Sequence, residues 1–180
     1  NEKGKAYKFL AKVTGSSPAT VPNAYEFAEL PLVYGGRLKP YDTLARNALR
    51  VLADTEDIYY KLDTGKKIKI PPAIWLLDVI SGNERAQNYR FFRIQNLELI
   101  EKLGLEDAKK HKYKFTPAEL YAGMEIEHKH ADGHSHGVTR RNFVYEEARS
   151  AAEVDIKKRN VYQTSVLRLR KQIDLYDHLT

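Results

Sequence analysis

Residues 30–46 read Leu-Pro-Leu-Val-Tyr-Gly-Gly-Arg-Leu-Lys-Pro-Tyr-Asp-Thr-Leu-Ala-Arg. Gly35 and Gly36 lie between two short apolar segments, and because glycine tolerates positive φ this pair is typical of a hairpin turn. Pro31 and Pro40 cannot donate to a β-ladder, so the strands beside the turn are expected to be short or to lie at an edge. The segment therefore predicts a small β-hairpin.

A helix is predicted directly after this hairpin. Asp42 is a residue type that favours the N-cap, and apolar residues recur behind it at helical spacing, which predicts a helix over residues 43–53. The bases Arg37, Lys39 and Arg46 surround this aspartate in the sequence. We expect Asp42 to cap the helix and Arg37 or Arg46 to lie within ion-pair reach of it, and we interpret the other bases as surface charges.

The rest of the chain favours a mainly α fold with small β-hairpins, which is an α+β class. Local signals predict a hairpin turn at Thr64-Gly65 and a helix opened by Pro71-Pro72, with Trp75 as a core anchor. A strand at 89–94 and a short helix over 96–103, closed by Gly104, follow. A second strand is predicted at 112–115, and a capping box at 116–119 starts a helix to about Met124.

The C-terminal part predicts one long helix from about Thr139 to Leu179. Its apolar residues alternate in spacing like a coiled-coil seam, at Tyr162, Val166, Leu169, Ile173 and Tyr176. A lone amphipathic helix gains little in water, so this seam is predicted to pack on another copy or to project toward a membrane segment beyond Thr180. We expect a compact, mostly helical domain over residues 1–138, with a His-rich loop at 125–137, followed by the long helix over 139–180.

The composition is that of a globular chain. Apolar types make up 42% and charged types 30% of the 180 residues, which is too apolar for a disordered chain and too polar for a membrane bundle. There is no cysteine, which excludes disulfides, Cys-ligated zinc, iron–sulfur clusters and thiol catalysis. No apolar run reaches the roughly 18–20 residues that span a bilayer. The chain begins at Asn1 rather than Met, so we expect it to be a processed or excised piece of a larger protein.

The densest group of metal-ligand types lies in the His-rich loop, at His128, His130, His134 and His136. In an extended segment the first two histidines share a face, as do the last two, and a turn at residues 132–133 would fold one pair over the other. Four imidazoles with a nearby carboxylate suit Zn, Ni or Cu. The opposing interpretation is a solvated insertion that binds metal only opportunistically, because the segment has no apolar shell around it.

Two further function classes are disfavoured. Residues 133–137 have the form G-x-S-x-G, but the segment before them is too charged for the buried strand that a nucleophile elbow requires. No other catalytic motif is present, so we predict no catalytic residue. The net charge of +6 suggests nucleic-acid binding as a hypothesis, but acidic residues alternate with the bases of the C-terminal helix. That pattern is typical of a solvated helix face, so no nucleic-acid partner is expected.

The opening segment also fits a known pattern, L-P-x-x-x-x-G-R-x-K-P-x-D-T-x-A-R. The matching residues are Leu30, Pro31, Gly36, Arg37, Lys39, Pro40, Asp42, Thr43, Ala45 and Arg46. This pattern resembles the extracytoplasmic region of cytochrome c biogenesis proteins of the CcsA/CcsB (ResB/ResC) type. Trp75-Leu-Leu is similar to the family's W-L-L helix, and residues 94–105 are similar to its short segment ending in L-G-L, so the resemblance covers roughly residues 29–120.

The resemblance implies a periplasmic domain, on the outer face of the bacterial inner membrane, of a protein that attaches haem to apocytochrome c. The family handles haem through a Trp-rich motif and membrane-embedded histidines, so haem would be bound only through the full-length protein. We expect an interaction domain that contacts other assembly components or apocytochrome c and is held to the membrane by segments outside this chain. Its expected contact residues are Gly36, Arg37, Lys39, Pro40, Asp42, Thr43 and Arg46. The alternative is a transition-metal-binding domain that uses the His-rich loop.

Overall fold

The computed structural model describes residues 24–61, 64–105, 107–121, 125–129, 133 and 135–180. The α-helices are α1 (Ala24–Glu29), α2 (Tyr41–Ala53), α3 (Pro72–Ile80), α4 (Leu97–Lys102), α5 (Pro117–Tyr121), α6 (Arg140–Glu153) and α7 (Val161–Leu179), with 3₁₀ helices η1 (Glu84–Asn88) and η2 (Ile156–Lys158). The strands are β1 (Pro31–Tyr34), β2 (Arg37–Pro40), β3 (Ile58–Lys61), β4 (Lys67–Ile70), β5 (Phe92–Arg93), β6 (Lys114–Phe115), β7 (Glu125–Lys129) and β8 (Ser135–Thr139).

The strands form two-stranded antiparallel sheets, β1–β2, β3–β4, β5–β6 and β7–β8. This combination of helices, small sheets and a long C-terminal helix confirms the α+β class. The sheet β5–β6 brings together the two predicted strand segments, with Phe92 opposite Phe115. The second of these strands is shorter than predicted because Lys112 and Tyr113 have φ values of 54° and 59°. Extended backbone therefore begins only at Lys114.

The predicted hairpin at residues 31–40 is confirmed. Gly35 and Gly36 have φ values of 60° and 72°, so both central turn residues lie in the left-handed region, as in the turns that match the twist of short hairpins. Each strand has four residues, with Pro31 opposite Pro40 at the open end. The sheet thus ends where the prolines lie, as their missing donors predict.

The helix behind this hairpin also forms, but the predicted N-cap is wrong. The extended residue before α2 is Pro40, which has no side chain to cap with, so the helix starts at Tyr41 and contains Asp42 in its first turn. The Asp42 side chain turns along the helix and pairs with Arg46 one turn later, with 2.5 Å between Oδ2 and Nε. The ion-pair prediction is therefore confirmed for Arg46.

The C-terminal region corrects the prediction of a single helix from Thr139 to Leu179. The chain leaves the helical conformation at Val154, where ψ is 131°. The Asp155 side chain accepts from the backbone of Lys157, and Asn160 then opens α7 with a capping box. Such local side-chain bonds compete with the helix ladder and explain the break.

Helix α7 folds back against α6, which contradicts the prediction that its seam needs another copy or a membrane segment. Val166, Leu169 and Ile173 are at most 1% exposed and belong to the same core as Trp75. The Tyr145 hydroxyl donates to Asp174 over 2.5 Å, which adds a hydrogen bond between the two helices. Within the described residues no helix is long and apolar enough to cross a membrane.

The core contains the residues that the local signals placed there. Trp75 is fully buried in α3 and packs edge-on against Phe91, with ring centroids 5.5 Å apart. Gly104, with a φ of 58°, follows α4 as predicted. The capping box is also confirmed, because Thr116 and Glu119 each bind the other's backbone N–H with their side chains. The predicted end of that helix near Met124 lies outside the described residues.

Candidate functional site

In the helical half of the motif, residues 41–46, the charged side chains form ion pairs within the protein. Arg46 bonds both Asp42 and Glu56, with 2.7 Å between its Nη1 and Glu56 Oε2, and Arg50 also pairs with Glu56. The hydrogen bond from Arg46 lowers the pKa of the Glu56 carboxyl, and the reciprocal bond raises the pKa of the guanidinium. Thr43 lies half-buried in the same turn of α2. This half therefore ties α2 to the turn that follows it.

The hairpin half has a different character, because its strands present two unlike faces. Directly opposite residues of an antiparallel pair share a face, and successive residues alternate between faces. The register defines an apolar face made of Pro31, Val33, Leu38 and Pro40. It also defines a basic face made of Leu32, Tyr34, Arg37 and Lys39.

The apolar face is open to solvent. Val33 and Leu38 are cross-strand partners beside the turn, and they are 75% and 72% exposed. Pro31 and Pro40 at the other end are also exposed. No described residue covers this face.

The basic face carries two cations without a carboxylate partner among the described residues. Lys39 lies over the ring of Tyr34, with 5.3 Å between Nζ and the ring centroid. Arg37 follows the turn directly and is exposed. Of the two arginines proposed as partners of Asp42, Arg46 forms the ion pair and Arg37 does not. Arg37 and Lys39 are thus available to an external group.

Among the described residues, contacts near the base of the hairpin hold it to the body. The Tyr41 backbone N–H donates to the Leu30 carbonyl over 2.9 Å, and the Tyr41 ring meets Phe27 of α1 edge-on at 4.2 Å between centroids. Burial raises the pKa of the Tyr41 hydroxyl to about 12. The turn at Gly35 and Gly36 lies at the opposite end, where residues 33–38 are all exposed.

The His-rich segment was predicted to be a loop, but its backbone forms the hairpin β7–β8. The predicted fold-back occurs, and its register places the Cα of His128 opposite the Cα of His136. His130 and His134 lie outside the described residues. Within the part of the chain that the structure describes, no group of three or more His, Asp or Glu is placed to hold a metal ion.

A buried polar cluster was missed by the sequence analysis. Asp78 of α3 is 4% exposed and accepts hydrogen bonds from Arg85 Nη2 at 2.6 Å and from the Tyr89 hydroxyl at 2.5 Å. Burial, with the nearby Asp78 charge, raises the pKa of Tyr89. The one signal for this cluster was an aspartate in an otherwise apolar helix. Both oxygens of the Asp78 carboxylate are taken by these two partners, so the cluster is a structural tie.

A cleft of about 310 Å³ lies beside the N-terminus of α6 and is lined in part by His111, Glu119 and Arg140. Arg140 is 6% exposed and donates to the backbone carbonyls of Leu103, Gly104 and Glu119 over 2.6–3.0 Å. Glu119 is held by both terminal nitrogens of Arg90. Burial lowers the pKa of His111. Arg140 therefore links the start of α6 to the end of α4 and to α5, and its role in this cleft is structural.

Comparison with known proteins returns no matching family model, no matching curated protein and no matching solved structure.

Proposed function

We propose that this chain is an extracytoplasmic interaction domain of a membrane-bound cytochrome c assembly protein. It would act by presenting the β1–β2 hairpin to another component of haem attachment, such as a second assembly subunit or apocytochrome c. Haem itself would be handled by parts of the full-length protein outside this chain. The support is the resemblance of residues 30–46 to the motif of that family, together with the geometry of the same residues.

One observation carries the proposal: the charged residues of the helical half of the motif, 41–46, pair within the protein, whereas those of the hairpin half, 30–40, do not pair with any described residue. Asp42 and Arg46 are paired with each other inside the protein, whereas Arg37 and Lys39 have no described carboxylate partner. Folding alone accounts for the first pair. The second pair gains nothing from the described residues except the contact of Lys39 with Tyr34, which favours an external partner for these cations.

The test is a charge reversal in cells that depend on the full-length protein. The Arg37→Glu/Lys39→Glu variant should lower the amount of mature cytochrome c, measured by haem staining, at least several-fold at an unchanged level of the assembly protein. The matched control is Lys66→Glu/Lys67→Glu, which reverses two exposed charges at the β3–β4 hairpin. Equal maturation in both variants would contradict the proposal.

A second candidate is a transition-metal site in the β7–β8 hairpin, because the register makes His128 and His136 cross-strand neighbours. Opposite positions of an antiparallel pair have Cβ atoms about 4.5–5.5 Å apart, which suits two ligands of one ion. Titration with Zn, Ni or Cu should show weak binding at pH 7.5 that fades below about pH 6.5, since neutral imidazole is the ligand. Binding that persists after all four loop histidines are changed to Ala would exclude this site.

A further inference from the structure

Exposed apolar side chains are concentrated in the β1–β2 hairpin. Four large ones, Leu30, Val33, Tyr34 and Leu38, fall within nine consecutive residues, and Val33 and Leu38 are among the most exposed of the described chain. The other exposed apolar residues are scattered along the chain, at Val51, Tyr59, Ile80, Leu97, Ile156 and Val161. Single exposed residues are normal, but Val33 and Leu38 are cross-strand neighbours that share one face, with Tyr34 on the other, and adjoining exposed apolar residues indicate a contact surface.

The shape of this patch restricts what can cover it. It is a two-stranded ridge whose turn end, residues 33–38, is exposed throughout, not a groove that would enclose a small ligand or a peptide. Strands of four residues reach about 13 Å from base to turn at roughly 3.3 Å per residue. A ridge of this length can enter the 5–10 Å boundary layer between lipid headgroups and acyl chains.

The chemistry of the ridge restricts the occupant further. Residues 30–40 contain Arg37 and Lys39 but no Asp or Glu, so the surface complements a negative charge. Tyr34 and Arg37 flank the turn, with Val33 and Leu38 just behind them. Tyrosine rings and long cationic side chains lie at the headgroup level of membranes, where their apolar parts are buried and their polar ends remain wet.

We propose that the β1–β2 hairpin docks on an anionic phospholipid membrane. In that arrangement the turn end enters first, so that Val33 and Leu38 on one face reach the acyl boundary while the long side chains of Arg37 and Lys39 on the other face extend back to phosphate groups of anionic lipids. The inference does not rest on the proposed function: it assigns the cations of the hairpin to lipid phosphates and not to a protein partner, and the experiments below separate the two assignments.

The test uses the whole chain and unilamellar vesicles, with phosphatidylcholine alone or mixed with about 30% phosphatidylglycerol. Co-flotation should detect binding to the mixed vesicles only. Each cation near an anionic surface contributes about fivefold to binding, so Arg37→Glu/Lys39→Glu should weaken it by well over tenfold, as should Val33→Ser/Leu38→Ser. The control Lys66→Glu/Lys67→Glu removes the same net charge and should weaken binding no more than a few-fold.

Insertion has its own readout. The native Trp75 is fully buried, so a Val33→Trp variant adds a reporter that should shift to shorter emission wavelength and be quenched by brominated lipid. A Tyr59→Trp variant in the other hairpin should show neither effect. Equal loss of binding from both charge reversals, or no quenching at position 33, would overturn the membrane inference.

These outcomes separate the two proposals. If Arg37→Glu/Lys39→Glu blocks cytochrome c maturation but the chain does not bind vesicles, the hairpin contacts a protein, so the membrane inference fails and the proposed function stands. If the hairpin inserts into vesicles but its variants mature cytochrome c normally, the proposed function fails and the membrane inference stands.

Discussion

The β1–β2 and β3–β4 hairpins are built alike and buried differently. Each pairs two four-residue antiparallel strands around a turn with glycine at positive φ. In β3–β4 the cross-strand partners Ile58 and Ile70 are 1% and 0% exposed. In β1–β2 the corresponding open-end pair is Pro31 and Pro40, and both are exposed. The β3–β4 hairpin therefore contributes side chains to the core, whereas the open end of the β1–β2 hairpin does not.

This difference bears on what each hairpin is for. An isolated two-stranded hairpin is marginally stable in water, so β3–β4 is supported by the isoleucines and by Tyr60, whose ring meets Tyr89 edge-on at 5.7 Å. Among the described residues, the β1–β2 hairpin is held by its glycine turn, by the Tyr41–Leu30 hydrogen bond and by its contacts with α2, and none of its strand residues is fully buried. Its exposed residues contribute little to the fold and are free to contact something else.

The largest expected effect comes from breaking the tie behind the anchored hairpin. Asp78→Ala removes the carboxylate that holds Tyr89 and leaves Arg85, whose side chain is 13% exposed, without its partner. A buried charge left unpaired costs about 3–5 kcal/mol. We expect a loss of that size in the free energy of unfolding, measured by urea denaturation.

The control for this variant is Asp57→Ala. Asp57 pairs with Lys69 at 2.5 Å, but its side chain is 46% exposed, and exposed pairs contribute less than about 1 kcal/mol. A loss of similar size in both variants would mean that burial of the Asp78 cluster does not matter.

A matched pair of truncations tests the two hairpins directly. Ile70→Ala should cost about 2–5 kcal/mol, because it opens a cavity in the core. Leu38→Ala should change stability by no more than about 0.5 kcal/mol, because Leu38 is 72% exposed. Both values come from the same denaturation experiment, and comparable losses would show that β1–β2 is packed after all.

Alkaline pH should loosen the base of the β1–β2 hairpin. Burial raises the pKa of Tyr41 to about 12, above the value of about 10 for an unfolded tyrosine. Its contribution to stability is therefore fully present below pH 10 and is lost as the pH rises toward 12. In the Tyr41→Phe variant, the free energy of unfolding should fall less steeply between pH 10 and 12. Identical slopes in the two proteins would show that ionisation of Tyr41 does not contribute to the loss of stability.

The sequence predicted the elements whose signals are local. Glycines fix the turn at Gly35-Gly36 by φ alone, and the capping box at residues 116–119 needs only its own side chains. Trp75 was recognised as core because it lies in an apolar helix. Each of these signals acts within a few residues, so no knowledge of the rest of the fold was needed.

The failures were of two kinds. The break at residues 154–160 depends on side-chain bonds from Asp155, Arg159 and Asn160 that compete with an otherwise helical pattern. The burial of the α7 seam depends on tertiary packing, which a seam pattern alone cannot assign to the same domain or to a partner. Likewise, the difference between the two hairpins arises from which face meets the core, and both sequences carry similar turn signals.

The smallest expected effect concerns Asp42, at the junction between the open hairpin and α2. As an N-cap, Asp42 would be replaced by Asn without loss, because both residues cap well. In the structure its carboxylate pairs with Arg46 inside the first turn, and such a pair contributes about 0.3–0.5 kcal/mol through charge. Asp42→Asn should therefore lower the free energy of unfolding by about 0.5 kcal/mol, and less in 1 M salt, where exposed pairs are screened. In a double-mutant cycle with Arg46→Gln the two losses should not add. A neutral effect of Asp42→Asn, combined with a loss of about 1 kcal/mol for Asp42→Ala, would restore the capping role and place the start of α2 two residues later, at Thr43.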